Sequence, residues 1–125
     1  MRVAAITKIF PNAAEPLSAP FNRQQFAALG RLCELEVYAT IPWHPLRQTG
    51  RVPWHEAIDD LQVTHPRTLY VPRALHGQWG RLYAASLAPW WAALRRADVL
   101  LAAWAYPDAV GVLRLARWLR RPLAT

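Results

Sequence analysis

The stretch Asp98-Val-Leu-Leu-Ala-Ala-Trp-Ala-Tyr-Pro-Asp108 is an unbroken apolar run that stops at a polar loop, and a helical pattern follows it. A strand that is apolar on both faces must be covered from both sides, which is the situation of a parallel sheet with helices above and below. The carboxyl end of such a strand opens onto a ligand crevice. After the helix, Arg121-Pro-Leu-Ala-Thr125 has the pattern of a further strand just beginning. On this reading the 125 residues are the front piece of a longer protein.

The rest of the chain repeats that alternation. Arg2 to Phe10 has the apolar content of a first strand, ending at Pro11. The loop from Pro11 to Pro20 contains three prolines. Phe26, Leu29 and Cys33 follow at helical spacing, with Asn22 and Gln25 three apart in the manner of a capping box. Leu35 to Ile41 predicts a second strand. Pro42 to His55 lacks periodicity and predicts a long connection, a kind of segment that is often functional. Leu61 to Pro72 predicts a third strand divided at Pro66.

Trp79, Leu82, Tyr83, Leu87, Trp90, Trp91 and Leu94 mark the strongest helical pattern. Pro89 inside it should kink the helix or separate two shorter ones. Asp98 to Ala105 is the fourth strand, and Asp108 to Arg121 the next helix, with Asp108 as its N-cap. On that helix Arg114, Arg117 and Arg121 share one face, and the apolar remainder is wide enough to need cover on more than one side. Right-handed crossovers then give an α/β fold. It is a doubly wound parallel sheet, incomplete at four to five strands, in the order 3-2-1-4-5.

Composition narrows the function. Hydrophobic residues make up 54% and charged ones 18%, so a single domain has ample core material and no disorder signature. The net charge is +7, and every basic residue except Lys8 is arginine. Guanidinium presents a planar fork of donors to phosphate and to acidic surfaces, although codon bias alone can fill a chain with arginine. The single cysteine, Cys33, excludes an internal disulfide and a cysteine-cluster metal site, and its place on the apolar side of a helix suits a small buried hydrophobe. No apolar run reaches the roughly 18 residues of a membrane span.

Neither a Gly-x-Gly-x-x-Gly turn nor a P-loop is present. His44, His55, His65 and His76 stand too far apart for the close ligand pairs of a zinc site, so no metal is expected. His44 and His76 are the better placed for a crevice loop. Arg interleaved with Trp and Tyr is one signature of single-stranded nucleic acid binding, but the aromatics mostly keep core spacing. Trp90-Trp91 beside Arg95-Arg96 has the composition of a membrane-interface patch, with burial as the competing explanation.

Two series of motifs carry a resemblance. Ile9-Phe-Pro-Asn-Ala-Ala-Glu-Pro16 is followed by Phe21-Asn-Arg-Gln-Gln25, Leu29 and the strand Leu35 to Ala39. Thr68-Leu-Tyr-Val-Pro72, the Trp/Tyr-rich helix, Trp104-Ala-Tyr-Pro-Asp108 and Leu115-Ala-Arg-Trp-Leu-Arg-Arg-Pro122 then come in order. Together they resemble the N-terminal, acceptor-side, Rossmann-like domain of family-four glycosyltransferases of the GT-B type. The likeness spans nearly the whole chain apart from Pro42 to Asp60. Two departures are Ala19 and Ala109, where the family often has glycine, and two more are Leu101 and Ala103, where it often has histidine.

The resemblance implies transfer of a sugar from a nucleotide-sugar donor to an acceptor hydroxyl, in polysaccharide or glycolipid synthesis. A glycan or lipid-linked acceptor is the expected partner, without nucleic acid. The nucleotide-sugar is a co-substrate, and no cofactor is implied. Carried over residue by residue, the resemblance lines the acceptor and donor crevice with Pro11, Asn12, Glu15, Ala19, Arg23, Gln24, Tyr106, Pro107 and Asp108. It names no catalytic residue. A C-terminal donor-binding domain would be a separate part, leaving these residues inactive alone. The expected location is cytoplasmic, with the arginines favouring peripheral contact with an anionic membrane at its inner face. Two other classes stay open: a stand-alone flavodoxin-like nucleotide-binding domain, and a basic nucleic-acid-binding module.

Overall fold

The computed structural model describes residues 1–8, 20–43, 53–58, 60–69, 79–103 and 110–124. Along the chain these form β1 (Arg2–Thr7), α1 (Pro20–Leu29), β2 (Glu34–Ala39), β3 (Ile41–Trp43), β4 (His55–Ile58), β5 (Leu61–Thr64) and β6 (Arg67–Leu69). Then come α2 (Trp79–Ser86), a 3-10 turn (Ala88–Trp90), α3 (Trp91–Arg95), β7 (Val99–Ala102), α4 (Val110–Leu119) and β8 (Leu123–Ala124).

A six-stranded sheet takes the order β4-β5-β2-β1-β7-β8. Every pairing in it is parallel except that of β4 with β5. Leaving out β4, the strands follow the order 3-2-1-4-5 expected from the sequence, with β8 pairing β7 through Leu100 opposite Leu123. A flavodoxin-like order would instead read 2-1-3-4-5.

Alternation along each strand divides the core between the two faces. Ala4, Ile6, Tyr38, Leu100 and Ala102 pack with Tyr83, Leu87 and Leu94 and with Val112, Leu115 and Leu119 of α4. Val3, Ala5, Leu35, Val37 and Val63 pack on the opposite side with Phe26 of α1. Helices on both faces explain why β7 and the Val3–Ile6 part of β1 are apolar throughout, and the α/β, Rossmann-like architecture follows from that burial.

Pro89 separates the long apolar stretch into α2 and α3 joined by the 3-10 turn, because proline cannot supply an amide inside a continuous helix. Three local expectations are corrected. Asn22 lies within the first turn of α1 instead of at its cap, since the helix already begins at Pro20. Cys33 lies beyond α1, half-buried, with its Sγ 3.5 Å from the Leu29 carbonyl. The sequence pattern also predicts no strand between the connection ending at His55 and Leu61, where the structure has β4. This strand forms a hairpin with β5, Ile58 facing Leu61, and Asp60 in the turn has φ 65°. Asp tolerates that left-handed conformation better than most side chains, which suits a two-residue hairpin loop.

Gly111 lets α4 approach α2 closely. A Cβ there would stand 2.5 Å from Cδ1 of Tyr83. Among the described residues no helix is long and apolar enough to cross a membrane.

Candidate functional site

Parallel strands all run the same way, so their carboxyl ends share one edge, and in sheets of this order ligands bind beyond it where neighbouring connections diverge. Here that point lies between β1 and β7. Ile6 pairs with Ala102, so the two strands leave the sheet side by side. β1 leads toward residues 9–19 and β7 toward residues 104–109. Of the crevice residues expected from the sequence, Pro11, Asn12, Glu15, Ala19, Tyr106, Pro107 and Asp108 fall in these two segments, outside the described residues. His44 and His76 also lie outside them. Arg23 and Gln24 sit near the start of α1, half-buried and exposed respectively, on the helix that returns from the same edge.

The carboxyl edge is where the described chain buries its polar side chains. Thr7, Thr40, His65 and Thr68 are the buried polar or charged residues; the first three lie at or just beyond the ends of β1, β2 and β5, and Thr68 lies within β6. The amide of Thr40 donates to the Thr7 carbonyl at 2.8 Å, and its hydroxyl lies 3.1 Å from the Tyr83 hydroxyl of α2. β1, β2 and α2 are thus tied together at this edge. Buried polar groups are tolerated when they are satisfied, and this network meets that condition with neutral groups.

His65 has a more specific task. The ladder of β2 with β5 and that of β3 with β6 keep one register, Glu36 opposite Gln62 and Ile41 opposite Arg67. The amide of Ile41 donates to the Pro66 carbonyl at 2.8 Å. Continued back by two residues, this pattern makes the amide of residue 66 the donor to the Ala39 carbonyl, and proline has no such hydrogen. Nδ1 of the fully buried His65 ring lies 3.1 Å from that carbonyl and donates in place of the missing amide. Its Nε2 lies 2.6 Å from Oε1 of Glu56 on β4, so the same ring anchors the antiparallel strand. With Nδ1 committed as donor, the contact with Glu56 takes its hydrogen from either the ring or the carboxyl.

Beside this edge is an aromatic patch absent from the sequence-derived site. The Trp54 carbonyl accepts from the His65 amide, and its indole is 52% exposed. Trp90 stacks on Trp54 with centroids 5.8 Å apart, and the Arg67 guanidinium lies 4.4 Å from the ring centre. Arg67 also donates to the His65 carbonyl, and burial pulls its guanidinium below the ordinary arginine range. The only sequence signals here were the His65-Pro66 step inside a strand and the turn-like Asp59-Asp60, both easily absorbed into a loop reading.

A hollow of about 250 Å³ lies at the other, amino-terminal edge, bordered by Arg2, Glu34, Glu36, Ala93 and Arg96. Arg2 and Glu34 form an exposed ion pair of 2.9 Å there. Such pairs contribute little, and this edge is remote from the strand ends where doubly wound sheets place their ligands. Among the described residues no group of three or more His, Cys, Asp or Glu side chains is placed to hold a metal ion. No family model, curated protein or solved structure matches the chain.

Proposed function

We propose that this domain receives the acceptor in a glycosyltransferase of GT-B type, the sugar arriving from a nucleotide-sugar donor held by a second domain. The observation that carries the reading is the strand order 3-2-1-4-5, with Ile6 of β1 beside Ala102 of β7. These neighbouring strands are the ones followed in sequence by the segments bearing Asn12, Glu15, Tyr106 and Asp108. Further support comes from Trp54, a half-exposed indole at the same edge. Its exposed part, beside the Arg67 guanidinium, combines apolar surface for the C–H groups of a sugar with a donor for its hydroxyls. In this reading the chain orients the acceptor, and nucleotide recognition belongs to the partner domain.

Calorimetric titration with glycans and with nucleotide-sugars tests the proposal. A glycan should bind, and Trp54→Ala should weaken it about tenfold, whereas nucleotide-sugars should bind weakly or not at all. Tight nucleotide-sugar binding without any glycan affinity would overturn the assignment to the acceptor side. Sugar transfer by the 125 residues alone would overturn the division of labour.

The strand order speaks against the flavodoxin-like alternative.

A further inference from the structure

Helices α2, α3 and α4 form one layer over a single face of the sheet. Residues 79–97 and 110–124, which contain that layer, carry seven arginines and neither Asp nor Glu. The acidic side chains among the described residues, Glu34, Glu36, Glu56, Asp60 and Asp98, lie on the strands or in the turns beside them. Charge on this layer is therefore of one sign, and among the described residues none of the seven forms a salt bridge.

The apolar exposure on the same layer is also organised. Gly111, Val112, Leu115, Ala116 and Leu119 are buried, leaving Leu113, Arg114, Arg117 and Trp118 on the outer half of α4. Leu113 and Arg117, and Arg114 and Trp118, are each four residues apart and so share a face. Leu113 is 40% exposed and Trp118 47% exposed, although both are of a size usually buried. Trp118 meets Trp91 of α3 edge-on at 5.7 Å, and Arg121 donates from Nε to the Arg95 carbonyl at 2.8 Å. α3 and the end of α4 are thus joined into one surface. The helix closes with Arg120 at φ 54°, a left-handed position that glycine usually fills. An arginine there keeps charge on this face at the expense of backbone comfort.

We infer that the outer face of α3 and α4 is a docking surface for an anionic lipid bilayer. An aliphatic side chain and an indole among guanidinium groups match the boundary between headgroups and acyl chains, where apolar side chains enter and cations meet lipid phosphate. A nucleic-acid surface has no comparable use for Leu113, and a protein partner would have to match the whole positive layer with carboxylates. The inference rests on charge and exposure and is independent of the sugar-transfer reading.

Flotation of the whole chain with vesicles tests it, comparing phosphatidylcholine alone with phosphatidylcholine containing phosphatidylglycerol. Binding should require the anionic lipid and fall when salt rises from about 0.1 M to about 1 M, as the screening length contracts. Each charge removed near such a surface should lower partitioning about fivefold, so Arg114→Gln loses about fivefold and Arg117→Glu about 25-fold. Leu113→Ser should weaken binding to anionic vesicles without changing its salt dependence. Arg31→Gln, on the other side of the sheet, should change it less than twofold. All four side chains are exposed or half-exposed, and an unchanged far-UV circular dichroism spectrum establishes that each variant folds.

The inference is overturned by equal binding to neutral vesicles or by equal losses for Arg31→Gln and Arg117→Glu. Binding to single-stranded RNA without binding to vesicles, or self-association in place of vesicle binding, also overturns it.

Discussion

Two residues show how single positions hold this fold. Gly111 gives α4 its closeness to α2, and the ring it touches belongs to Tyr83, whose hydroxyl lies 3.1 Å from Thr40 at the carboxyl edge. Gly111→Ala should therefore destabilise by about 1–3 kcal/mol, because overpacking of a filled contact outweighs the roughly 1 kcal/mol gained in helix propensity. Chemical denaturation measures the balance, and a net gain in stability would show that Tyr83 yields easily. Tyr38 is buried, and its hydroxyl donates to Oε2 of Glu36 at 3.0 Å. Burial, then the charge of Glu36 and that hydrogen bond, raise its phenol above the ordinary value near 10, against a smaller opposing pull from Arg96. A raised value in the folded state means that this contribution is intact below about pH 10 and is lost above it, as the unfolded chain ionises first. Urea unfolding between pH 9 and 11 should thus show the native protein losing stability with pH more steeply than Tyr38→Phe. Parallel pH profiles would remove the effect.

At the scale of elements, the join between the two parallel ladders depends on His65 compensating for Pro66. His65→Ala should cost about 2–4 kcal/mol, since the Ala39 carbonyl loses its donor, Glu56 loses its partner and a cavity opens. Pro66→Ala restores a backbone amide directed at the same carbonyl. In that background the cost of His65→Ala should fall by about 1 kcal/mol, measured as the coupling energy of a double-mutant cycle. Zero coupling would mean that the imidazole does not replace the amide. The break at Pro66 was legible in the sequence because proline cannot donate to a ladder. The histidine's role was not, because it depends on a register with β2, more than twenty residues away. Strand β4 escaped for a related reason: His55-Glu-Ala-Ile58 has little β-branched character, and its order comes from pairing with β5 and from the Glu56 contact.

For the whole molecule, the sheet's centre and margins should differ in local stability. β1 has parallel neighbours on both sides and lies between two apolar layers, whereas β8 holds β7 through two residue pairs and β4 holds its place through the hairpin and Glu56. Native-state hydrogen exchange should find the slowest amides in Val3–Ile6, Val37–Ala39 and Leu100–Ala102, and markedly faster ones in β4 and β8. Uniform protection across the sheet would contradict this gradient. The same contrast explains what could be foreseen. Apolar periodicity and proline placement determined the alternation of strands and helices and the two-sided burial of the central strands, because these follow from local hydrogen bonding and from the need to cover apolar faces. Only the tertiary structure decided that Thr7, Thr40, His65 and Trp54 meet at one edge and that the arginines of separate helices form one face. Those juxtapositions depend on register and helix packing, which bring together residues that no local spacing relates.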